Sequence, residues 1–545
     1  MLVNKRFLLW MMCFQCFLSL RAQEVRNIGP ISIVVPSKPS ARMVFASDYL
    51  ARSLQKAGYK VEKMSRVPAS KSVQQVIALS VFKNQGNTTV QDPGKEGYAI
   101  KISKGNPAGI IGGDENGLLY GCIELAETID RLGRIPDSLA VTDKPEMVLR
   151  GTCIGIQKPY YLPGRTVYEY PFTPETFSWF YDKTLWLRTL DSLVVNRYNS
   201  LYLWNGHPFA SLVKLKDYPY AVEVDDATFK RNEEIYRFIT EEADKRGIWV
   251  IQMFYNIIVS KPFAEKHGIK TQDRERPIVP LIADYTRKSI AAFVEKYPNV
   301  GLLVTLGEAM EGVGQDDVDW FTKTIIPGVK DGLKALGKTE QPPIVLRAHD
   351  SDAPMVMDSA MKIYSNLYTM AKYNGEALTT YTPRGTWAEL HRKLSAIGTV
   401  QIENVHILAN LEPFRYASPF FIRKCVQAMH NVYNANGLHL YPQHSYWDWP
   451  WAADSSATRL YEIDRDWLWY QQWARYAWKS TYSDKEENIY WSEVLGKAHG
   501  SSASFGKMLL SAYEHAGEIS PKILRRFGIT DGNRQTSTLG MTMPQ

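Results

Sequence analysis

The stretch Val300-Gly301-Leu302-Leu303-Val304-Thr305-Leu306-Gly307-Glu308 decides the fold. Seven residues run without a charge, an amphipathic segment over 283–297 precedes them, and a glycine and a glutamate close them off. A continuous apolar run of this length is what a parallel strand covered on both faces requires, and the flanking helical period supplies the cover. The same unit recurs in both directions. Strand-like runs fall at 149–156, 200–204, 249–255, 344–348, 363–370, 405–411 and 438–441, with helical periods at 174–196, 226–246, 318–336, 386–397 and 419–434. Eight strand-and-helix units predict an α/β chain whose centre is a closed (β/α)8 TIM barrel.

Working outward, residues 24–145 read as an N-terminal α/β sandwich domain, with strand patterns at 31–35, 76–81 and 98–102 and a helix from Ala41 that stops at Gly58. Gly109 to Gly121 is glycine-rich, yet no Gly-Lys-Ser/Thr follows and the dinucleotide fingerprint is incomplete, so tight packing is the expected use. The barrel is expected over 146–480 and a helical C-terminal segment and tail over 481–545. Residues 1–22 read as a signal peptide: Lys5 and Arg6 lead a mostly apolar run from Phe7 to Leu20, and Ala22 offers a small residue for cleavage. Export to the periplasm or the extracellular space is therefore expected.

Of 545 residues, 45% are hydrophobic and 22% charged, an ordinary globular balance. The net charge of +7 is small for this length and falls further with the leader, which argues against a nucleic-acid partner. Stable membrane insertion after signal removal is not expected. Cys122, Cys153 and Cys425 are scattered and propose neither a disulfide framework nor a metal site.

In such a barrel the chemistry sits at the carboxyl ends of the strands. Those positions hold Gln157, Asn205-Gly206-His207, Asn256, Glu308, His349-Asp350, Lys372, Glu376, Glu412 and His444. No Gly-x-Ser-x-Gly elbow, His-Glu-x-x-His or phosphate loop accompanies them. Carboxylates on separate strands are what glycoside hydrolysis needs, one to protonate the leaving oxygen and one to attack or to activate water. Aromatic residues able to stack on a sugar follow the first strand (Tyr160, Tyr161, Tyr168, Tyr170) and the eighth (Trp447, Trp449, Trp451).

The N-terminal unit, with Lys95-Glu96-Gly97-Tyr98-Ala99-Ile100 and then Gly117-Leu118-Leu119-Tyr120-Gly121 entering a helix, resembles the domain preceding the barrel in family 67 α-glucuronidases and in hexosaminidase-type enzymes. The link Leu149-Arg150-Gly151 is similar too. The spacing of Glu308 and Glu376 resembles the paired glutamates of family 138 α-galacturonidases, which act on pectic rhamnogalacturonan II. Gly307 stands where the largest retaining clan has asparagine before its glutamate.

These readings together predict a secreted glycoside hydrolase, exo-acting on an oligosaccharide that carries uronic acid. The alternative is a catalytically silent barrel that binds glycan for a partner enzyme or transporter. Glu308 is the expected general acid, its pKa raised by burial, with Glu311 as a lesser competitor. Glu376 is the expected second carboxylate, with Glu412, read as closing the seventh strand, its rival and Asp350 third. Substrate contacts are expected from Arg150, Arg347, Lys372 and Arg415 as cations for a sugar carboxylate, from His207, Asn256, His349 and His444 as hydroxyl partners, and from Trp447 as a stacking platform. Trp449 and Trp451 are expected to pack on the C-terminal aromatics. No metal or cofactor is expected.

Overall fold

A computed structural model of the chain describes residues 30–66, 76–83, 91–158, 160–165, 169–255, 257–275, 278–307, 310, 314–373, 378, 380–382, 385–406, 418–441, 449–451 and 458–522. The segment read as a leader lies outside them. The chain divides into two compact units, Met1–Lys144 and Pro145–Gln545.

The first unit holds a six-stranded sheet: β1 (Ile31–Val34), β2 (Val61–Met64), β3 (Val76–Val81), β4 (Tyr98–Ile102), β5 (Ala108–Gly112) and β6 (Leu139–Asp143), in the order β2-β1-β3-β5-β4-β6. Only β4 runs antiparallel to its neighbours. Helix α1 (Ala41–Lys56) is capped by the Ser40 hydroxyl, which accepts from the Met43 amide. Helix α2 (Glu115–Leu132) is capped by Asp114 and ended by Gly133 at φ +67°. The glycines of this region serve packing, as expected: a Cβ on Gly117 would stand 2.0 Å from the Gly97 carbonyl oxygen.

The second unit is a closed barrel of eight parallel strands: β7 (Leu149–Gly155), β8 (Ser200–Trp204), β9 (Trp249–Tyr255), β10 (Val300–Thr305), β11 (Ile344–Arg347), β12 (Leu367–Lys372), β13 (Val400–His406) and β14 (Gly437–Tyr441). They follow one another round the ring, and β14 closes onto β7. Every second residue faces the lumen, where Leu149, Cys153, Tyr202, Trp204, Ile251, Met253, Leu303, Val345, Met370, Ile402 and Tyr441 form one buried cluster.

Two strands depart from the expected boundaries. The seventh is described over Val400–His406, starting five residues before the expected 405–411, and Glu412 lies outside the described residues. The difference has a physical cause. Gln401 and Glu403 point outward under the helix Gly385–Ala396, where they are fully buried but hydrogen-bonded. The Thr369 hydroxyl donates to Gln401 Oε1 at 2.5 Å, and His391 Nδ1 is hydrogen-bonded to Glu403 Oε1 at 2.9 Å. A strand face satisfied this way does not look apolar. The sixth strand starts at Leu367, four residues later than expected, and ends at Lys372, which therefore belongs to the strand itself.

Helices Trp467–Trp478, Asp484–Ala498 and Ala503–Gly517 follow the barrel strands. Trp491, Leu495 and Leu510 bury a small separate core there with Leu468. Among the described residues no helix is long and apolar enough to cross a membrane.

Candidate active site at the carboxyl end of the barrel

The lumen-facing residues at the carboxyl ends of the strands make the floor of the site. Trp204 ends β8, Tyr255 β9, Thr305 β10, Arg347 β11, Lys372 β12 and Tyr441 β14, while Asn404 lies opposite Lys372 on β13. Trp204, Arg347, Lys372, Asn404 and Tyr441 are all at least 95% buried. The Trp204 ring meets Tyr441 edge-on at 5.2 Å and Tyr255 at 6.1 Å, and the Arg347 guanidinium lies over Trp204 at 5.2 Å. One layer below, Asn404 Nδ2 donates to His439 Nδ1 at 2.5 Å, and the His439 ring stands edge-on to Tyr202 at 4.2 Å. Burial first, and the Arg347 charge second, push His439 down to about 3, so it is a neutral imidazole there.

The result is a cationic and aromatic floor. Two cations held at neighbouring strand ends, one of them over an indole, suit an anionic ligand that also offers an apolar face, because a guanidinium can grip a carboxylate through two parallel bonds. Arg347 and Lys372 stand at the carboxyl ends of the neighbouring strands β11 and β12. His349, two residues past β11, is partly exposed and turns toward Asp350, 3.7 Å from its Oδ2.

Two expected ligand residues take other roles. Arg150 lies at the amino end of β7, the opposite end of the barrel, where its guanidinium donates to the Arg197 and Met147 carbonyls at 2.9 and 2.7 Å and covers the Trp478 ring. His207 is buried behind the rim, with Nε2 2.9 Å from the Tyr285 hydroxyl; burial lowers its pKa to about 3. Glu308, Glu376, Glu412, Asn256, Arg415, His444 and Trp447 lie outside the described residues, as do Glu311 and Tyr168.

The approach to Glu308 is described, and it is tightly held. Gly307 passes so close to the loop after β11 that a Cβ would fall 1.9 Å from the Asp350 carbonyl oxygen. The Gly307 carbonyl accepts from Arg274 Nη2 at 3.1 Å. Glycine is needed here because backbone packs against backbone.

Three rim loops are tied by a buried ionic cluster. Arg165 Nη1, after β7, donates to Glu169 Oε2 at 3.0 Å and to Glu223 Oε1 at 3.2 Å, and Glu223 also accepts from the Lys261 amide after β9 at 2.9 Å. Burial pushes the Glu169 carboxyl up to about 7, with Arg165 opposing it. Trp449 wedges between Trp179 and Trp186, at 4.6 and 5.4 Å, and lines a small cavity together with Ile463 and Tyr470 of the C-terminal segment. Trp451 is 38% exposed and leans on Tyr461.

Trp204, Tyr255, Asn404 and Tyr441 escape a sequence reading that weighs only the residue after each strand. Counting back in twos from each strand end finds them. Among the described residues no cluster of His, Cys, Asp or Glu has the makings of a metal site.

No family model and no curated protein matches this chain. Solved structures do. A family 138 glycoside hydrolase targeting pectin rhamnogalacturonan II superposes with a TM-score of 0.87 at 57% identity, over 94% of this chain and 72% of that one. A family 115 4-O-methyl-α-glucuronidase with specificity for decorated arabinogalactans matches at TM-score 0.51 and 14% identity, over 90% and 62%. A Streptomyces plicatus β-hexosaminidase matches at 0.52 and 13%, over 90% and 92%. The last two show a shared fold.

Proposed function

The chain belongs to glycoside hydrolase family 138, and from that membership we propose that it removes galacturonic acid from the end of a pectic rhamnogalacturonan II oligosaccharide. It is a glycoside hydrolase, and its substrate is an oligosaccharide. The observation that carries the finer reading is the pair Arg347 and Lys372, two buried cations at adjacent strand ends, the first of them over the Trp204 ring. A neutral sugar has no use for them. A uronic acid does: its carboxylate would accept from the two cations while the ring lies near the indole.

In this reading Glu308 protonates the departing glycosidic oxygen, and a second carboxylate attacks the anomeric carbon or takes a proton from water. Glu376, four residues after Lys372, is the preferred partner. Glu412 remains its rival for that role. The leader sequence supports export, where pectic fragments would be met.

The test is kinetic. With an aryl α-galacturonide bearing a good leaving group, E308Q should keep much of the wild-type rate; with a poor leaving group it should lose at least about 100-fold, the usual scale of general acid catalysis. Equal losses on both substrates, or none on the poor one, would remove Glu308 from the acid role.

A further inference from the structure

We propose that Gln157 binds the substrate sugar directly, as the hydroxyl-recognising counterpart of the Arg347 and Lys372 cations. The inference rests on the galacturonide reading above.

On β7 the lumen side is marked by Leu149 and Cys153, both in the buried lumen cluster. Gly151 shares that face, since a Cβ there would touch the Tyr202 ring at 2.8 Å. The chain stays paired past the strand end, with the Ile156 amide donating to the Trp204 carbonyl at 2.8 Å. Gly155 and then Gln157 are therefore the next two positions on the lumen side, at the carboxyl end of the barrel.

Gln157 is 1% exposed, and neither its Nε2 nor its Oε1 has a hydrogen-bond partner among the described residues. The neighbouring strand-end amide is used fully: Asn205 Nδ2 donates to the Ile156 and Tyr170 carbonyls at 3.0 and 3.1 Å, and its Oδ1 accepts from the His207 amide. The backbone on either side of Gln157 is fixed as well, because Asn205 holds the Ile156 carbonyl and the Tyr170 hydroxyl donates to the Lys158 carbonyl at 3.2 Å. An amide kept away from water without a partner is destabilising, and a protein retains one where something else completes it.

The ligand class follows from the group. An amide offers a donor and an acceptor with no charge. That pair matches a pyranose hydroxyl, which both donates and accepts, and it leaves the sugar carboxylate to the cations. A site built this way separates galacturonic acid from its epimers by the amide and from neutral galactose by the charge.

The experiment compares wild-type enzyme with Q157L, which keeps the bulk and removes both polar atoms, on the galacturonide substrate and on a pectic oligosaccharide panel. We expect kcat/KM to fall 10- to 100-fold while the melting temperature stays level or rises, since the unpartnered amide is gone. Should Q157L not fold, Q157M serves in the same comparison. Wild-type kcat/KM in the folded variant would overturn the proposal and leave the amide as a water-satisfied packing group. If the wild type releases a sugar other than galacturonic acid, the substrate reading falls separately, and the ratio of the two proteins on that sugar still decides Gln157.

Discussion

The Cα of Gly307 lies against the carbonyl of Asp350, with room for no further atom: a Cβ would stand 1.9 Å from that oxygen and 2.5 Å from the Asp350 Cβ. The loop that leads to Glu308 is thereby pinned to the loop after β11. Gly307→Ala should push the two loops apart and displace Glu308. A shift of about 1 Å in a catalytic group can cost on the order of 100-fold in rate. We expect that loss in kcat with circular dichroism unchanged; full activity would show that Glu308 does not depend on this contact.

Arg347→Met and Lys372→Met each remove one cation from the floor. Charge-assisted hydrogen bonds to a carboxylate contribute about 1.5–3 kcal/mol, so each variant should lose roughly 10- to 100-fold in kcat/KM on a galacturonide. The corresponding galactoside, lacking the carboxylate, should be processed no worse than by the wild type. Measuring both substrates separates loss of the clamp from general damage.

Glu169 gives a pH dependence with a defined sign. Its carboxyl is raised to about 7 in the folded protein, so between its unfolded value and pH 7 the folded state binds more protons. Its contribution to stability is complete in acid and declines as pH rises through about 7. Urea unfolding of wild type and E169Q across pH 5–8 should show E169Q gaining relative stability as pH increases. A difference that does not change with pH would contradict the shift.

The two described tryptophans of the loop after β14 should behave differently. Trp449 is buried between Trp179 and Trp186, so Trp449→Ala should cost about 3–5 kcal/mol. Trp451, more than a third exposed, should cost less than about 1 kcal/mol. Denaturant midpoints for the two variants check the contrast.

The barrel was legible because runs such as Val300–Thr305 carry little but apolar side chains, and such a run has few other uses. The seventh strand was not. Its outward residues Gln401 and Glu403 are polar and satisfied by Thr369 and His391, partners distant in sequence that no local pattern reveals. The same holds at the site. Arg347 and Lys372 could be named from their place near strand ends, whereas Arg150 shows how a residue at the wrong end of a strand looks identical in sequence. His207 fell to a partner 78 positions away, Tyr285. Direction along the strand and long-range hydrogen bonding are properties of the closed barrel.

Release of galacturonic acid from a pectic glycan is tested most directly by chromatography of the products formed when the purified protein is incubated with rhamnogalacturonan II oligosaccharides. Free galacturonic acid should accumulate with time and be abolished in an E308Q, E376Q double variant. Binding of the oligosaccharide with no monosaccharide released would contradict it, and would restore the reading of a barrel that only holds glycan.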